Sequence, residues 1–363
     1  MRIVISGYYG FGNAGDEAVL SATLGELRRR LPQAELVVLS GDPAATREAH
    51  DVAAVPRWPL APLRRTIASA DLLLSGGGSL LQDQTSVRSL LYYLLTLHLA
   101  RAARVPYVVH AQGIGPLRSR LGQLAAGFYL ARAAAVTLRD EDSTRLAAEL
   151  GLPAEHITLA ADPAFLIEPV AGSETEAILA RAGVEPGTAL VGMVVRRWRG
   201  AQAVLPVLAR IGRLAAEAWG ARTVILPFQL PADREVSHEL AALVPGVALI
   251  DWELHPRALA GVVGHLQLLV AMRLHALVFA AAQAVPAVGV CYDPKVAALC
   301  REARQGCVPV TAPERLVELA ELAWAERSGG VQARRECVTT MRRRAGLAFD
   351  VIERVCRHLG ASA

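Results

Sequence analysis

Lysine is almost missing from this 363-residue chain: Lys295 is the only one, and the rest of the basic charge is arginine. Those arginines are not gathered into a stripe or a tail, and the formal net charge is only +4. Nucleic acid is therefore set aside as the leading partner, because a phosphate backbone calls for a concentrated basic footprint. The five cysteines are odd in number, include no CxxC pair and sit in the last quarter of the chain. Reduced, mostly buried thiols in a cytoplasmic protein are expected from that pattern, not a disulfide frame or a zinc site. Clean apolar runs are lacking too. Segments 90–100 and 261–290 are greasy, but His98, His265, Arg273, His275 and Pro286 interrupt them. A membrane-spanning helix needs roughly 20 apolar residues in a row. The strand-like segment 3–6 at the start is too short for a signal-peptide core, so export is not expected.

What the chain does have is 53% hydrophobic residues over a length that suits two cored domains. Apolar, β-branched runs at 3–6, 35–39, 71–75, 107–110, 135–138 and 157–160 alternate with helical-period segments at 17–31, 86–103, 121–131 and 141–150. Strands buried on both faces and separated by helices imply a parallel, doubly wound sheet. Segment 168–187, with Pro169, Gly172, Gly183, Pro186 and Gly187, reads as a boundary. A second strand series follows at 190–195, 223–226, 247–250, 268–270 and 287–290, with helices such as 204–219 between. The Arg-rich tail 332–359 reads as helix with a break near Gly346. The expected fold class is α/β, two Rossmann-like domains facing across a cleft in the GT-B manner. The domains are placed at 1–169 and 170–363, with the last helix crossing back to the first.

Three strand ends of the first half carry glycine loops. Residues 7–17 contain a literal GxGxxG at Gly10, Gly12 and Gly15, the spacing of a dinucleotide loop. Tyr8 and Tyr9 lengthen the turn, however, and Asp16 and Glu17 place carboxylates where a pyrophosphate would meet the helix start. A substrate loop fits better, with Asn13 as hydrogen-bond partner and Asp16 as acid or base; a plain tight turn capped by Asp16 is the bland alternative. Ser75-Gly76-Gly77-Gly78-Ser79 offers successive backbone N–H groups as an anion nest, or else close strand–helix packing. Ala111-Gln112-Gly113-Ile114-Gly115-Pro116 forms the third. Backbone approached at three side-chain-poor loops suits a diphosphate or a sugar.

The second half carries charge at its strand ends. Arg196-Arg197-Trp198-Arg199 follows one strand, and alternation forbids Arg196 and Arg197 from facing the same way. Arg273 and His275 interrupt an otherwise apolar stretch, where a desolvated guanidinium without an anion costs several kcal/mol. An ion pair with a satisfied core histidine is the alternative reading. Lys295 follows another strand, in a chain that otherwise uses arginine. Together these side chains describe an anion pocket with a proton donor. No cluster of metal ligands stands out, so metal independence is expected.

Four motifs in order, Gly7-Tyr-Tyr-Gly-Phe-Gly-Asn-Ala-Gly-Asp-Glu17, Gly76-Gly-Gly-Ser-Leu-Leu-Gln-Asp83, Ala111-Gln-Gly-Ile-Gly-Pro116 and Met272-Arg-Leu-His-Ala276, resemble the bacterial polysaccharide pyruvyltransferases of the CsaB type. The resemblance implies phosphoenolpyruvate as a substrate, no cofactor, and a lipid-diphosphate-linked cell-wall sugar as acceptor. It further implies a 4,6-ketal, typically on N-acetylmannosamine, in a polymer that anchors S-layer domains. The implied donor contacts are Arg273, Leu274 and His275, with Arg196, Arg197 and Lys295 assigned by position and charge. His275 is the candidate proton donor, its ordinary pKa near 6.5 suiting that role, and Asp16 the candidate base. Asn13, Gly12, Gly77, Gly78, Gln112 and Gly113 are expected on the acceptor side, in the first domain. For the Arg-rich tail from Arg334 to Arg344 a solvated helix is expected, with a peripheral contact with the inner membrane surface as the alternative. A nucleotide-sugar glycosyltransferase of GT-B type and a non-catalytic carbohydrate or phosphate binder remain as alternatives.

Overall fold

In a computed structural model, residues 1–84, 86–198 and 201–361 are described, and Arg199 of the arginine cluster lies outside them. The chain divides into two compact units, one of residues 1–12, 16–166 and the C-terminal stretch from Arg342, the other of 13–15 and 167–341. In the first unit the strands are β1 (Arg2–Ser6), β2 (Glu35–Ser40), β3 (Ala53–Pro56), β4 (Leu72–Ser75), β5 (Gly78–Leu81), β6 (Tyr107–Ile114), β7 (Ala135–Leu138) and β8 (Ile157–Leu159). They form one parallel sheet ordered β3-β2-β1-β4-β6-β7-β8, with β5 paired to β6. The helices are α1 (Ala14–Arg30), α2 (Pro43–His50), α3 (Leu60–Ala68), α4 (Val87–Ala102), α5 (Arg120–Leu130) and α6 (Glu141–Glu149).

Side chains alternate across a strand, so β1 sends Val4 to one face and Ile3 and Ile5 to the other. Val4, Leu73 and Val109 pack under α3, α4 and α5 through Leu63, Leu97 and Ala126. Ile3, Ile5 and Leu74 pack under α1 through Leu20 and Leu24. That same face takes Phe349 and Ile352 from a long C-terminal helix. Both faces are thus apolar, and the runs read from the sequence show no polar alternation.

The second unit repeats the plan. Its strands β9 (Ala189–Val194), β10 (Ala221–Ile225), β11 (Ala248–Leu249), β12 (Leu268–Ala271), β13 (Ala287–Cys291) and β14 (Gly306–Pro309) form a parallel sheet ordered β11-β10-β9-β12-β13-β14. Its helices are α7 (Gly172–Arg181), α8 (Val204–Glu217), α9 (Arg234–Leu243), α10 (Pro256–Gly264), α11 (Leu274–Ala282), α12 (Pro294–Glu302) and α13 (Arg315–Ala325). In each sheet the winding reverses beside the first strand, between β1 and β4 and again between β9 and β12. Open α/β sheets take their ligands outside the carboxyl ends of the strands at such a switch point.

Four details depart from the sequence expectation. β3 and β14 are short edge strands, each ending in a proline, where a missing N–H costs no ladder bond. The glycine cluster is no open loop throughout, because Gly78 already starts β5 and the Gly76 N–H donates to the Ser6 carbonyl at 2.7 Å. The tail is one unbroken helix, α14 (Val331–Ala361), straight through Gly346. Burial of Ala345, Ala348 and Phe349 around it outweighs glycine's helix cost of about 1 kcal/mol. Finally, Cys291 and Cys307 form a disulfide, a correction to the expectation of five reduced thiols. Parallel pairing of β13 with β14 brings their Cα atoms to 6.4 Å, within disulfide reach, and no CxxC spacing announces it. The thiol of Cys300 stays free; its sulfur and those of the pair all lie within 4.8 Å of one another.

Candidate active site

β12 delivers Arg273 and His275 to the carboxyl edge of the second sheet. Arg273 is the N-cap of α11, Leu274 is its first residue and buried, and His275 lies half-buried in its first turn. A buried guanidinium needs an anion, and Arg273 finds it in Asp233, itself buried. Its Nε donates to Asp233 Oδ2 at 3.0 Å and its Nη2 to Oδ1, a bidentate pair. Asp233 Oδ2 also accepts from the backbone N–H groups of Phe228 at 3.3 Å and Gln229 at 3.0 Å. The loop after β10 is thereby pinned to the start of α11.

That pinned loop holds the first motif. The Ala14 N–H donates to the Phe228 carbonyl at 2.9 Å, and Asn13 forms an antiparallel bridge with Gln229. Asn13 Oδ1 accepts from the Gly15 N–H at 3.1 Å, turning the chain into α1. Gly15 then lies against His275, where an added Cβ would overlap the imidazole. Asn13 is the only asparagine in the chain. Two motifs some 260 residues apart in sequence therefore meet inside one compact unit, through Asp233 and through Gly15 on His275.

Arg196 and Arg197 part company, as alternation requires. Arg196 is half-buried; its Nη1 donates to the Tyr292 hydroxyl at 2.8 Å, and its guanidinium lies 4.9 Å from the Tyr292 ring and 5.1 Å from Trp198. Its Nε is buried with no acceptor among the described residues. Arg197 is exposed and paired with Glu235 at 3.0 Å and Glu239 at 2.8 Å on α9. Lys295 is the second residue of α12, its backbone N–H capped by Asp293 at 3.1 Å and its Nζ 3.5 Å from Asp293 Oδ2. Its side chain is 38% exposed. Arg196 and Lys295 thus meet one turn, residues 291–295.

In the first unit, the loop after β1 folds Tyr9 into the core, with Gly76 close to its hydroxyl. Gly12 is exposed in a left-handed conformation. Glu17 is fully engaged: Oε1 accepts from the Gly10 N–H at 2.8 Å and Oε2 meets His50 Nε2 at 2.9 Å. Asp16 lies half-buried beside Gly78, whose added Cβ would come 3.1 Å from Oδ1. Gly77 faces Val19 of α1. Gln112 is buried and donates to the Ser75 carbonyl at 3.0 Å and the Ser75 hydroxyl at 2.7 Å. Gly113 makes room for Arg139, within 3 Å of where its Cβ would be.

Sequence reading missed three features. Arg139 is buried and ion-paired to Asp162 at 2.8 Å, with Ser79 Oγ at 2.9 Å. Burial works against its charge, but Asp162 and Asp140 more than offset that and hold its pKa above the ordinary value. Asp233 resembles an N-cap residue before α9, and only tertiary contact reveals its partner. The third is a hollow of 740 Å³ lined by Tyr8, Phe11, Arg57, Trp58, Arg88 and Tyr92 among others. Tyr8 stacks on Phe11 at 4.3 Å, and the Arg57 guanidinium lies 3.8 Å over the Tyr92 ring. Burial, and then the charge of Asp16, push the Tyr8 phenol above its ordinary pKa.

Several solved structures share this architecture. The Anabaena protein Alr3699/HepE in complex with UDP-glucose superposes with a TM-score of 0.65 at 13% identity, covering 99% of this chain and 100% of that one. S. aureus MnaA with UDP gives 0.68 at 10% identity over 99% and 97% of the two chains. The UDP-GlcNAc 2-epimerase of Neisseria meningitidis bound to UDP-GlcNAc gives 0.61 at 12% identity over 94% and 100%. At these identities the likeness shows the fold, two Rossmann-like α/β domains of the GT-B kind. No curated protein matches the sequence. A family model does, over residues 13–294, from the asparagine bridged to Gln229 to the proline that opens α12, and the chain belongs to the polysaccharide pyruvyl transferase family.

Proposed function

We propose that the protein transfers pyruvate from phosphoenolpyruvate to a lipid-diphosphate-linked saccharide and closes a 4,6-ketal, with N-acetylmannosamine as the expected acceptor sugar. The reading rests on the junction of Arg273, Asp233, Asn13, Gly15 and His275, which joins the first and last family motifs in one packed cluster. The half-buried Arg196, bonded to Tyr292, and the accessible Lys295, beside Asp293, supply positive charge for a small polyanion. Two of the five N–H donors of Arg273 go to Asp233, which leaves others for the donor's phosphate or carboxylate.

In the first step a sugar hydroxyl oxygen bonds to C2 of the enol phosphate, C3 takes a proton to become a methyl group, and the hydroxyl proton goes to a base. In the second, the other hydroxyl bonds to C2, the bond from C2 to the phosphate oxygen breaks, and inorganic phosphate leaves as that hydroxyl loses its proton. His275 is assigned the proton given to C3 or to the departing phosphate, and Asp16 the proton taken from the sugar. The hollow on the first unit, with its aromatic faces and Arg57, suits the apolar face of a pyranose and the charge of its diphosphate. Gly77, Gly78, Gln112 and Gly113 support that side as packing positions, and the exposed Gly12 as a left-handed turn.

The test is phosphate release from phosphoenolpyruvate with a lipid-linked disaccharide as acceptor. Expected are release that requires both substrates and a ketal product detectable by mass. Turnover of a nucleotide sugar without phosphoenolpyruvate would reject the proposal in favour of a conventional glycosyltransferase. Binding of either substrate without turnover would reject it in favour of a sensor.

A further inference from the structure

An exposed apolar stripe lies on the first unit. α3 packs on α4 and α4 on α5, and the three bury their inner residues in one core against the sheet. Their outer side is also apolar. On α5 Leu121 is 80% exposed, Leu124 71% and Phe128 43%, at helical spacings of three and four residues along one stripe. Leu60 on α3 and Val87 on α4 are exposed as well. Soluble domains seldom leave such a set of large side chains in water unless something covers it.

Charge says what covers it. Residues 57–132 contain nine arginines, no lysine, no glutamate and two aspartates, a net of +7 in a chain whose total is +4. Helices α3, α4 and α5 contain no acidic residue at all. The two aspartates of the segment are engaged by backbone N–H groups: Asp71 by that of Arg2, Asp83 by those of Arg118 and Ser119. Arg64, Arg65, Arg101, Arg120 and Arg132 are exposed; Arg120 directly precedes Leu121, and Arg101 and Arg132 lie 5.3 Å and 3.7 Å over the Phe128 ring. Apolar side chains at the centre and guanidiniums at the rim describe a surface that inserts at the boundary between lipid headgroups and acyl chains. A protein partner of equal fit would have to be uniformly acidic and greasy; an anionic bilayer is both.

We propose that the α3–α4–α5 face docks the protein on an anionic membrane surface, Leu121 and Leu124 entering the interface while the surrounding arginines bind lipid phosphates. Among the described residues no helix is long and apolar enough to cross a membrane, so the attachment is peripheral and reversible. The docking does not depend on pyruvyl transfer. It is measured without donor or acceptor, and its failure is therefore separate from failure of that reading.

The full chain is floated with vesicles of phosphatidylcholine alone and with vesicles containing phosphatidylglycerol, at low and high salt. Flotation with the anionic vesicles, weakened by salt, is expected. The double variant L121Q/L124Q, altered only at exposed positions, should lose on the order of tenfold or more in partitioning. Arg120→Gln should lose roughly fivefold, the value of one charge near an anionic surface. Equal partitioning of the double variant and the unaltered protein would overturn the proposal, and so would failure of the unaltered protein to float with anionic vesicles. A vesicle-independent dimer that L121Q/L124Q dissolves would also overturn it, assigning the face to a second copy of the chain.

Discussion

Gly15 is glycine because His275 lies against it, and that close approach makes a sharp prediction. Gly15→Ala should displace the imidazole and lower turnover at least tenfold, about 1.4 kcal/mol at the transition state, while His275→Ala removes most of it. If Gly15 acts through His275, the double variant is no slower than His275→Ala alone, a non-additivity that steady-state phosphate release reads directly. The Arg273–Asp233 pair gives a second prediction. Asp233→Ala strands a buried guanidinium and should cost about 3–5 kcal/mol in urea unfolding, whereas Arg273→Met with Asp233→Leu should recover most of that stability without recovering turnover. Arg273 and His275 were legible in the sequence as the one polar break in an apolar run. Asp233 was not, since an aspartate before a helix reads as a cap, and its partner lies 40 residues on.

Elements were legible where hydrophobic period alone decides them. The central strands β1, β2, β4, β6, β9, β10, β12 and β13 are continuous apolar runs and were all found; β3, β5 and β14 are short, carry proline or glycine, and exist because a neighbouring strand offers its ladder. Gly346 misled for the opposite reason, since propensity is local and the core that α14 buries is not. Space at helical glycines now becomes usable. Nothing lies within 4 Å of a Cβ added at Gly25 of α1, and at Gly346 only Arg30 is in ordinary contact, at 3.8 Å. Gly25→Ala and Gly346→Ala should each raise stability by about 0.5–1 kcal/mol, as thermal unfolding can check.

For the whole molecule, acid stability depends on His110, buried in β6 with its ring against Phe349 at 4.7 Å. Neither ring nitrogen has a partner among the described residues, and burial pulls its pKa down to about 3. In the unfolded chain it titrates near 6.5. Between those two values the unfolded state binds a proton that the folded state refuses. The contribution of His110 is thus complete above about pH 6.5 and falls toward pH 3, at a slope approaching about 1.4 kcal/mol per pH unit. His110→Leu should flatten that limb, so its unfolding midpoint in urea should change less between pH 7 and pH 5 than that of the unaltered protein. Net charge is also a whole-molecule number, and +4 hides a segment of +7; exposure, which the sequence does not carry, separates the two.

The single lysine turns the protein into its own reporter. Apart from the α-amine, the chain offers one amino group to reductive methylation, Lys295 Nζ, accessible and a few residues from the Arg196–Tyr292 contact. Carbon-13 dimethylation would give two signals, one from the α-amine and one from Lys295, and Lys295→Arg tells them apart. Titrating phosphoenolpyruvate against the Lys295 signal reads donor occupancy at equilibrium, in the absence of any acceptor.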